Sequence, residues 1–356
     1  MSLKPYIETL IDGSRRLTSD ETYSAFSAIL TENPPQCQVA SLLTLLRARR
    51  ENPQEIAGMV RAMNSACKAV NFNEEKKLLD IVGTGGDGAD TINISTASVV
   101  LAAACGATVA KAGNRSVSSC CGSADVLEAL GVQVDLSPTQ VVECVEKCGI
   151  AFLFAPINHP AMKAVAPVRK QLGVRTCFNI LGPMTNAASA QRAVIGVFHE
   201  ELLELMAETL KEVGRVDHAV VIHGVGLDEI SPLGPATIVE IKNTAPPGEP
   251  RVYTTTKYEF DPMSVNIPRC KVEDLKGGDP AQNAKEFELV LTGGEYETNA
   301  KKDSIVLNAG VGCYVYGLSD SIEEGCALAK KTLVSGKATE VLNEWRQVSK
   351  EIAGRG

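Results

Sequence analysis

The segment of residues 78–98, LLDIVGTGGDGADTINISTAS, constrains the fold of this chain more than any other stretch. Its apolar start predicts a buried strand, its glycines predict a loop, and a helix is predicted to begin near Ser95 or Thr96. A glycine loop between a strand and a helix binds phosphate, because main-chain N–H groups and the positive end of the helix dipole face the anion. Asp87 adds a negative charge to this loop, which predicts a cation or a ribose hydroxyl between the carboxylate and the phosphates.

Two other interpretations of this loop stay open at this point. The pattern Gly83-x-Gly85-x-x-Gly88 also satisfies the dinucleotide-binding expression, which requires an acidic residue about 20 positions further on. The next predicted strand ends in Lys111, and no acid lies between Thr91 and Asp125, which disfavours a nicotinamide cofactor. The second alternative is an ordinary strand–helix turn that binds no ligand.

Composition and charge narrow the class of protein. The 356 residues are 44% hydrophobic and 22% charged, as expected of a soluble enzyme with two domains or one large domain and an appendage. The net charge of −8 disfavours a nucleic-acid partner, and no apolar run approaches membrane-spanning length. The start, MSLKPYIETLIDG, resembles neither a signal peptide nor a transit peptide, so we expect a cytoplasmic chain or a mature form. The eleven scattered cysteines indicate reduced thiols rather than a zinc site.

The order of predicted elements indicates an α/β fold with a helical appendage. Residues 1–72 show helical patterns only, including the capping box Thr18-x-x-Glu21. Strands and helices then alternate, which predicts a mostly parallel sheet with helices on both faces and ligands at the carboxyl ends of the strands. The predicted strands are 78–83, 107–112, 150–155, 192–198 and 218–223. The predicted helices between them are 95–105, 123–130, 137–148 and 200–213.

The domain boundaries follow from the same patterns. We expect a helical domain of residues 1–72 and an α/β domain of residues 73–157 and 188–356. Residues 158–187 are predicted to leave the sheet and return, either packing on the helical domain or forming a hinge. Residues 243–262 are predicted to be a polar, Pro-rich loop with a short strand, and 279–350 to be mainly helical.

Two further segments have the chemistry of phosphate binding. Lys111 ends a strand and is followed by Gly113, Asn114, Arg115, Ser116, Ser118, Ser119 and Ser123. A lysine with hydroxyls and backbone donors suits a second phosphate or a pyrophosphate, and we favour this over a plain serine-rich surface loop. Asn93-Ile94-Ser95-Thr96 offers hydroxyls at the predicted helix start, where Ser95 or Thr96 is an N-cap, a ligand, or both.

Two charged features indicate a metal and a small carboxylate. Asp228 and Glu229 are adjacent on a loop after a predicted strand, and Mg²⁺ commonly binds such pairs near phosphates. A solvated acidic turn is the alternative for this pair. Arg169, beside apolar residues, suits a ligand carboxylate, although most arginines on helices face water.

Taken together, these segments resemble one enzyme family. The chain is similar to the anthranilate phosphoribosyltransferases of tryptophan biosynthesis in GTGGD, N-x-ST, K-x-GNRSVSS-x-x-GSAD-x-LEALG, HPAMK-x-VAPVRK-x-LG-x-RT-x-FN-x-LGP and GLDE. The segment IPRC-x-x-EDL-x-GGDP looks like plant members, which implies an enzyme of the plastid stroma without its transit peptide; otherwise we expect a cytoplasmic enzyme.

The resemblance implies a reaction and an architecture. The amino group of anthranilate displaces pyrophosphate from carbon 1 of phosphoribosyl pyrophosphate (PRPP), with Mg²⁺, two ions being expected. The implied fold is that of nucleoside phosphorylases and phosphoribosyltransferases, a small all-helical domain beside a large α/β domain. The implied assembly is a homodimer through the helical domain, without membrane or nucleic-acid partners.

The resemblance also implies roles for individual residues. The PRPP site comprises Gly83, Gly86, Asp87, Thr91, Asn93, Ser95, Thr96, Lys111, Gly113, Asn114, Arg115, Ser116, Ser118, Ser119 and Ser123. The anthranilate site comprises Gly83, Asn114, His159 and Arg169. The metal ligands are Ser95, Asp228 and Glu229. No catalytic acid or base is implied, since the free aromatic amine is already a nucleophile at neutral pH.

Two positions depart from the family pattern, and two other functions remain alternatives. Ala112 stands where the family usually has His, and Asn158 stands before His159 where it often has Tyr, so acceptor selectivity is the property most affected. The alternatives are an enzyme like the pyrimidine-nucleoside phosphorylases and a non-enzymatic paralogue that binds nucleic acid.

Overall fold

Four helices begin the chain, in a computed structural model that describes residues 2–73, 75–116, 119–293 and 299–355. They are α1 (Lys4–Asp12), α2 (Ser19–Thr31), α3 (Gln36–Arg49) and α4 (Pro53–Ser65). The predicted capping box of α2 is present, since Thr18 and Glu21 bond each other's backbone N–H groups. A second capping box, between Asn52 and Glu55, begins α4.

One sheet of seven strands forms the centre of the described α/β part, in the order β3-β2-β1-β4-β5-β6-β7. The strands are β1 (Leu79–Gly83), β2 (Val109–Gly113), β3 (Ile150–Phe154), β4 (Arg192–Gly196), β5 (His218–His223), β6 (Ala236–Asn243) and β7 (Tyr253–Phe260). The first five are parallel, and β6 and β7 are antiparallel to their neighbours. The direction of strand addition reverses between β1 and β4, where the carboxyl ends form a crevice suited to ligands.

The parallel part of this sheet was predicted from the sequence more completely than its antiparallel edge. The five predicted strands are present with small shifts at their ends. β6 was not predicted, and the strand expected within 243–262 is the eight-residue β7. Most of β7 is exposed, so its residues lack the apolar alternation of a half-buried strand.

Helices cover both faces of the sheet. The helices that alternate with the strands are α5 (Ile94–Cys105), α6 (Ser123–Ala129), α7 (Pro138–Cys148) and α11 (Leu202–Val213). The C-terminal helices are α12 (Pro280–Leu291), α13 (Asn299–Tyr316), α14 (Ile322–Val334) and α15 (Lys337–Ala353). Within the described ranges, no helix is both long enough and apolar enough to cross a membrane.

The connection between β3 and β4, residues 158–187, lies against the N-terminal helices. It contains the end of α8 (Ala155–Asn158), then α9 (Met162–Leu172), α10 (Phe178–Leu181) and a 3-10 turn, Gly182–Met184. α9 contacts α2 and α3, and Val165, Val168 and Phe178 share one apolar cluster with them. The boundaries of the two domains at residues 72 and 73, and at the ends of the connection, stay predictions.

Two apolar clusters occupy the two faces of the sheet. Ile81, Val194 and Val220 belong to the cluster beneath α5 and the C-terminal helices. Their chain neighbours Ile195 and Val221 point to the other face, where α11 packs against α4 of the helical bundle. The two-residue period of the strands therefore places the helical bundle on one face and leaves the carboxyl ends of the strands accessible.

Candidate active site

The candidate site begins where β1 and β4 end side by side. Gly83 and Gly196 are paired in the sheet register, and the loop containing Asp228 lies directly over both. A Cβ atom on Gly83 would lie 2.2 Å from Oδ2 of Asp228, and one on Gly196 would lie 1.5 Å from its carbonyl oxygen. Only glycine permits so close an approach, so the two strand ends admit this loop to the crevice.

The glycine loop and the acidic loop are joined by a direct hydrogen bond. The backbone N–H of Gly85 donates to Oδ2 of Asp228, at 2.7 Å. Gly85, Gly86 and Gly88 have φ values of 66°, 82° and 76°, a left-handed conformation that other residues rarely adopt. Two segments about 140 residues apart in sequence thus meet at one point, as expected if both serve one ligand.

Three carboxylates converge at this point. Oxygen atoms of Asp87, Asp228 and Glu229 lie within 4.8 Å of one another, the only such acidic group among the described residues. Burial and the charge of Asp87 raise the pKa of Asp228. Burial and the charge of Asp228 raise the pKa of Glu229 well above its ordinary value. Converging oxygens that repel one another are the donor set that Mg²⁺ prefers, so these residues fit a divalent cation.

A buried lysine lies beneath the two loops. Lys111 on β2 is 1% exposed, and its Nζ donates to the carbonyl of Ile81 at 2.6 Å and lies 3.4 Å from the hydroxyl of Ser95. Burial lowers the pKa of Lys111, and the nearby carboxylate of Asp80 opposes that shift. The lysine thus stands between the end of β1 and the start of α5.

Asp80, which was not predicted from the sequence to be a site residue, lies beside Lys111 on the adjoining strand β1. Its Oδ1 accepts from the N–H of Ala112 at 3.2 Å and its Oδ2 accepts from Asn186 at 2.7 Å. Burial raises its pKa to about 6, and the charge of Lys111 works against that rise. A carboxylate inside the apolar run LLDIV was itself the available signal, because a buried charge needs a partner.

The serine loop is tied to the starts of α5 and α6. Thr96 donates to the hydroxyl of Ser123 at 3.0 Å, and the hydroxyls of Ser116 and Ser119 are 2.9 Å apart. The guanidinium of Arg115 pairs with Asp125 and Glu128 of α6. Ser118 lies outside the described residues, and the phosphate role of the Arg115 side chain stays a prediction.

The start of α5 corrects one expectation. Ser95 and Thr96 lie within the first turn, and the N-cap position is Asn93, which makes no side-chain cap bond. Its amide instead donates to the carbonyl of Cys121 at 3.0 Å, in the serine loop. The alternative in which Ser95 or Thr96 is the N-cap is therefore wrong, because the helix begins at Ile94, before either residue.

Two of the four predicted acceptor residues, His159 and Arg169, lie on the connection, whereas Gly83 ends β1 and Asn114 follows β2. Arg169 on α9 is half-buried, with its guanidinium carbon 5.5 Å from the ring centre of Phe178, and burial lowers its pKa. His159 Nε2 lies 2.9 Å from the carbonyl of Thr185, and burial lowers the pKa of the ring. Nδ1 of His159 is buried and has no hydrogen-bond partner among the described residues. The connection thus contains an arginine without an acidic partner and an unpaired, buried histidine nitrogen among the described residues.

A second arginine joins the connection to the glycine loop. Arg175 donates to the carbonyl of Gly86, and its guanidinium lies 4.1 Å above the ring of Phe198. Arg175 lies in the motif LG-x-RT, and the sequence pattern alone indicated no role for it. The bond of Arg175 to Gly86 brings the connection, which contains predicted anthranilate-binding residues, into contact with the glycine loop predicted to bind PRPP.

The family models match both parts of the chain. Residues 4–67 match the model described as "Glycosyl transferase family, helical bundle domain". Residues 75–339 match the model described as "Glycosyl transferase family, a/b domain". The two models agree with the fold, a small helical domain and a large α/β domain.

Similar proteins and solved structures carry one name. The chain is 44% identical to the anthranilate phosphoribosyltransferase of Methanosarcina acetivorans, over 99% of this chain and 92% of the relative, and 40% identical to that of Chlamydia felis, over 98% and 97%. The enzyme from Thermus thermophilus matches at 42% identity with a TM-score of 0.87, over 97% of this chain and 99% of that chain. The Saccharomyces cerevisiae enzyme, solved in complex with PRPP and Mg, matches at 25% identity with a TM-score of 0.87, over 98% of each chain.

These comparisons also bear on the expected source. The relatives named are archaeal, bacterial and fungal, so they give no support to a plastid address. Near-complete coverage and identities of 40% or more place the whole chain, and not one domain alone, in a single family. The chain therefore belongs to the anthranilate phosphoribosyltransferase family.

Proposed function

We propose that this chain transfers the 5-phosphoribosyl group of PRPP to the amino group of anthranilate, with Mg²⁺ and with release of pyrophosphate. The observation that carries the proposal is the convergence of Asp87, Asp228 and Glu229 at the glycine loop, close to the buried Lys111. Relatives of high identity are named for this activity, and the yeast structure holds PRPP and Mg.

The carboxylates and the hydroxyl of Ser95 would hold the metal. Two Mg²⁺ ions follow from the family resemblance, with Asp228 and Glu229 as the principal ligands and Asp87 beside them. When bound, Mg²⁺ supplies positive charge to the pyrophosphate that leaves carbon 1. Burial and the neighbouring carboxylates raise the pKa values of Asp228 and Glu229, and this supports the assignment because a bound cation would stabilise the charged form of both groups.

The proposed PRPP site is built from the glycine loop and the serine loop. Its proposed members are Gly83, Gly86, Asp87, Thr91, Asn93, Ser95, Thr96, Lys111, Gly113, Asn114, Arg115, Ser116, Ser118, Ser119 and Ser123. The backbone N–H groups of the glycine loop and the first turn of α5 would face the phosphates. Arg115 supports the serine loop through its pairs with Asp125 and Glu128.

The acceptor site is proposed around Arg169, His159, Asn114 and Gly83. Arg169 has no acidic partner among the described residues, and its stacking on Phe178 leaves its N–H groups to bind a carboxylate. A half-buried cation of this kind binds the anthranilate carboxylate more strongly than a solvated lysine would, because less water competes.

Catalysis then depends on positioning and on charge. The chain holds the aromatic amine against carbon 1 of the ribose, and no residue has to remove a proton first. Lys111 and the loop N–H groups stabilise negative charge as it develops on the leaving pyrophosphate. Arg175 keeps the connection against the glycine loop, which helps to exclude water while the bond breaks.

The two alternative functions lack an observation of their own. A nucleoside phosphorylase binds orthophosphate, and a group of three carboxylates beside the phosphate site would repel it without a metal. A nucleic-acid-binding paralogue would need a basic surface, whereas this chain has a net charge of −8.

A turnover assay tests the proposal. Purified protein with anthranilate, PRPP and Mg²⁺ is expected to consume anthranilate, followed by its fluorescence, and chelation of the metal is expected to stop the reaction. Parallel reactions offer a pyrimidine nucleoside with phosphate, and a fluorescent DNA or RNA strand. Phosphorolysis, or nucleic-acid binding without phosphoribosyl transfer, would contradict the proposed function.

The assembly and the domain division are part of the proposal. We expect a homodimer through the helical domain, with residues 1–72 and 158–187 as one unit and the rest of the chain as the other. The packing of α9 on α2 and α3 supports that division. Light scattering during size exclusion should give twice the chain mass of 37.8 kDa, and a mass of one chain would contradict the dimer.

A further inference from the structure

A chain of side-chain hydrogen bonds connects α12 to both predicted phosphate loops. Asn283, which is 2% exposed, accepts from the N–H of Gly278 at 2.7 Å and donates from Nδ2 to Oδ1 of Asn93 at 3.0 Å. Asn93 in turn donates from Nδ2 to the carbonyl of Cys121 at 3.0 Å. We name this series, from Gly278 through Asn283 and Asn93 to Cys121, the amide relay.

The two ends of the amide relay determine its direction. The backbone N–H of Gly278 can only donate and the carbonyl of Cys121 can only accept. Both side-chain amides between them must therefore point the same way, and a flip of either one would place two donors or two acceptors face to face. Because Asn283 is buried, water does not replace a lost partner.

The segment that precedes α12 is shaped to reach the loops. A Cβ atom on Gly277 would lie 2.7 Å from Oδ1 of Asn283 and 3.0 Å from the carbonyl of Thr91, so glycine is required for this approach. The N–H of Gly277 donates to the carbonyl of Asp90 at 2.9 Å, and that of Ile92 donates to Leu275 at 3.0 Å. The backbone thus holds α12 in place independently of the relay.

We propose that Asn283 is a positioning residue for the PRPP site: through Asn93 it sets the distance between the start of α5 and the serine loop. This inference rests on the proposed function for its ligand. Asn93 uses one lone pair of Oδ1 and one proton of Nδ2 in the relay. One lone pair and one proton therefore remain to bind PRPP. Asn283 lies 190 residues from Asn93 and is 2% exposed, so we expect it to act on the PRPP site through Asn93 and not by direct contact.

The most informative variant is Asn283→Asp, which keeps the shape of the side chain and replaces the hydrogen-bond donor Nδ2 by an oxygen that can only accept. The aspartate still accepts from Gly278, but its second oxygen faces Oδ1 of Asn93. Asn93 must then turn, which places its oxygen against the carbonyl of Cys121. We expect PRPP, titrated calorimetrically with Mg²⁺ into the full-length protein, to bind about tenfold more weakly. The KM for anthranilate should stay within about threefold of the wild type, a split that general loss of structure would not give.

A double-mutant cycle tests the route of the effect. Asn283→Asp is measured in the wild-type chain and in the Asn93→Ala chain, and we expect most of its effect on PRPP binding to vanish in the second background. An equal effect in both backgrounds, or unchanged PRPP binding by Asn283→Asp, would overturn the proposal. Asn343→Asp is the matched control, because it makes the same substitution at an exposed position of α15, where the side chain accepts from Arg346 as an aspartate also would.

A measurement without ligand separates this inference from the proposed function. Amide hydrogen exchange in residues 91–96 and 119–123 should be faster in Asn283→Asp than in the wild type, while exchange in β4 and β5 stays the same. Unchanged exchange in both loops would overturn the relay even if the wild type bound no PRPP. If Asn283→Asp does not fold, Asn283→Ala, which removes both bonds without adding repulsion, is read in the same way.

Discussion

At the scale of single residues, the site depends on charges that the fold buries. Lys111 is almost fully enclosed, and the charge of Asp80 on the adjoining strand opposes the lowering of its pKa by burial. The hydrogen bonds of Asp80 to Ala112 and Asn186 also hold the connection where it returns to the sheet. Buried polar groups of this kind cost free energy unless every partner is present.

Replacing Asp80 by Asn should destabilise the protein by about 2–4 kcal/mol. The new amide places a donor against either the N–H of Ala112 or the amide of Asn186, and it removes the charge beside Lys111. Urea unfolding at neutral pH measures the change. Asp320→Asn, at an exposed position, is the control. If Asp80→Asn lowers the free energy of unfolding by no more than Asp320→Asn does, this account is contradicted.

Arg169→Ala should raise the KM for anthranilate about 10- to 100-fold and leave that for PRPP within about threefold. The guanidinium beside Phe178 has no acidic partner among the described residues, so its loss removes a cation kept for the ligand. Initial rates over both substrate concentrations give the two constants. Lys170→Ala changes the exposed neighbour on the same helix and should alter neither. Equal changes for both substrates would remove Arg169 from the acceptor site.

At the scale of elements, the ends of β1 and β4 decide where the acidic loop lies. Their paired glycines leave room for the backbone and side chain of Asp228. The sequence marks the first of these glycines by its loop motif, whereas Gly196 stands at the end of an ordinary strand. Its importance follows only from what crosses over it.

Gly196→Ala should lower kcat/KM about 100-fold, because a misplacement of about 1 Å at reacting groups has effects of that order. The added Cβ would meet the carbonyl of Asp228, a backbone atom that cannot rotate away, and would displace the carboxylates. The measurement is Mg²⁺-dependent turnover together with a melting curve. Gly354→Ala, where the nearest atom would lie at an ordinary 3.4 Å, should be neutral. Wild-type activity in Gly196→Ala would show that the acidic loop does not need its observed place.

The capping box of α2 gives an element-scale prediction of pH dependence. Arg15, followed by the backbone and hydroxyl of Thr18, lowers the pKa of Glu21 from 4.5 to about 2, against the effect of burial. A carboxylate with a lowered pKa in the folded state stabilises that state above pH 4.5, and the stabilisation is lost as pH falls toward 2.

Glu21→Gln keeps the shape of the cap and removes its charge, so it should cost about 1 kcal/mol at pH 7. The difference from the wild type should shrink steadily between pH 4.5 and pH 2, as urea unfolding at several pH values would show. Glu8→Gln, at an exposed carboxylate paired with Lys4, serves as the comparison. A difference that stays constant with pH would contradict the role of the Glu21 charge.

At the scale of the whole molecule, the helical bundle and the sheet share an apolar cluster. α4 packs on α11, and α9 packs on α2 and α3, so the connection and the bundle form one continuous surface over one face of the sheet. The site lies at the strand ends beside this surface, where Arg175 reaches the glycine loop. Ligands bound there would contact both parts of the chain.

PRPP and Mg²⁺ together should therefore raise the melting temperature by about 5 °C at 100 times the dissociation constant, and either alone should raise it less. In the double variant Asp228→Asn with Glu229→Gln, the additional rise in melting temperature that Mg²⁺ gives in the presence of PRPP should be absent. Differential scanning calorimetry makes the measurement without relying on turnover. Stabilisation by orthophosphate alone, equal to that by PRPP with Mg²⁺, would favour a phosphorylase instead.

The sequence by itself determined the elements and the chemistry of this protein. Apolar runs of two-residue and helical period predicted five parallel strands and the helices between them, because those periods record which side chains face the core. The glycine loop and the residue types at the strand ends indicated phosphate, metal and carboxylate groups, since these follow from local conformation and from functional groups.

Only the tertiary structure decided which of these groups meet. The antiparallel edge β6–β7, the joining of Asp87 to Asp228 and Glu229, the pairing of Arg115 with α6, and the contact of Asn283 with Asn93 all depend on strand order and on close approach between distant segments. A local sequence pattern does not specify the distances between segments that are far apart in the chain. They arise when burial of two apolar faces brings the strand ends and their loops to one edge of the sheet.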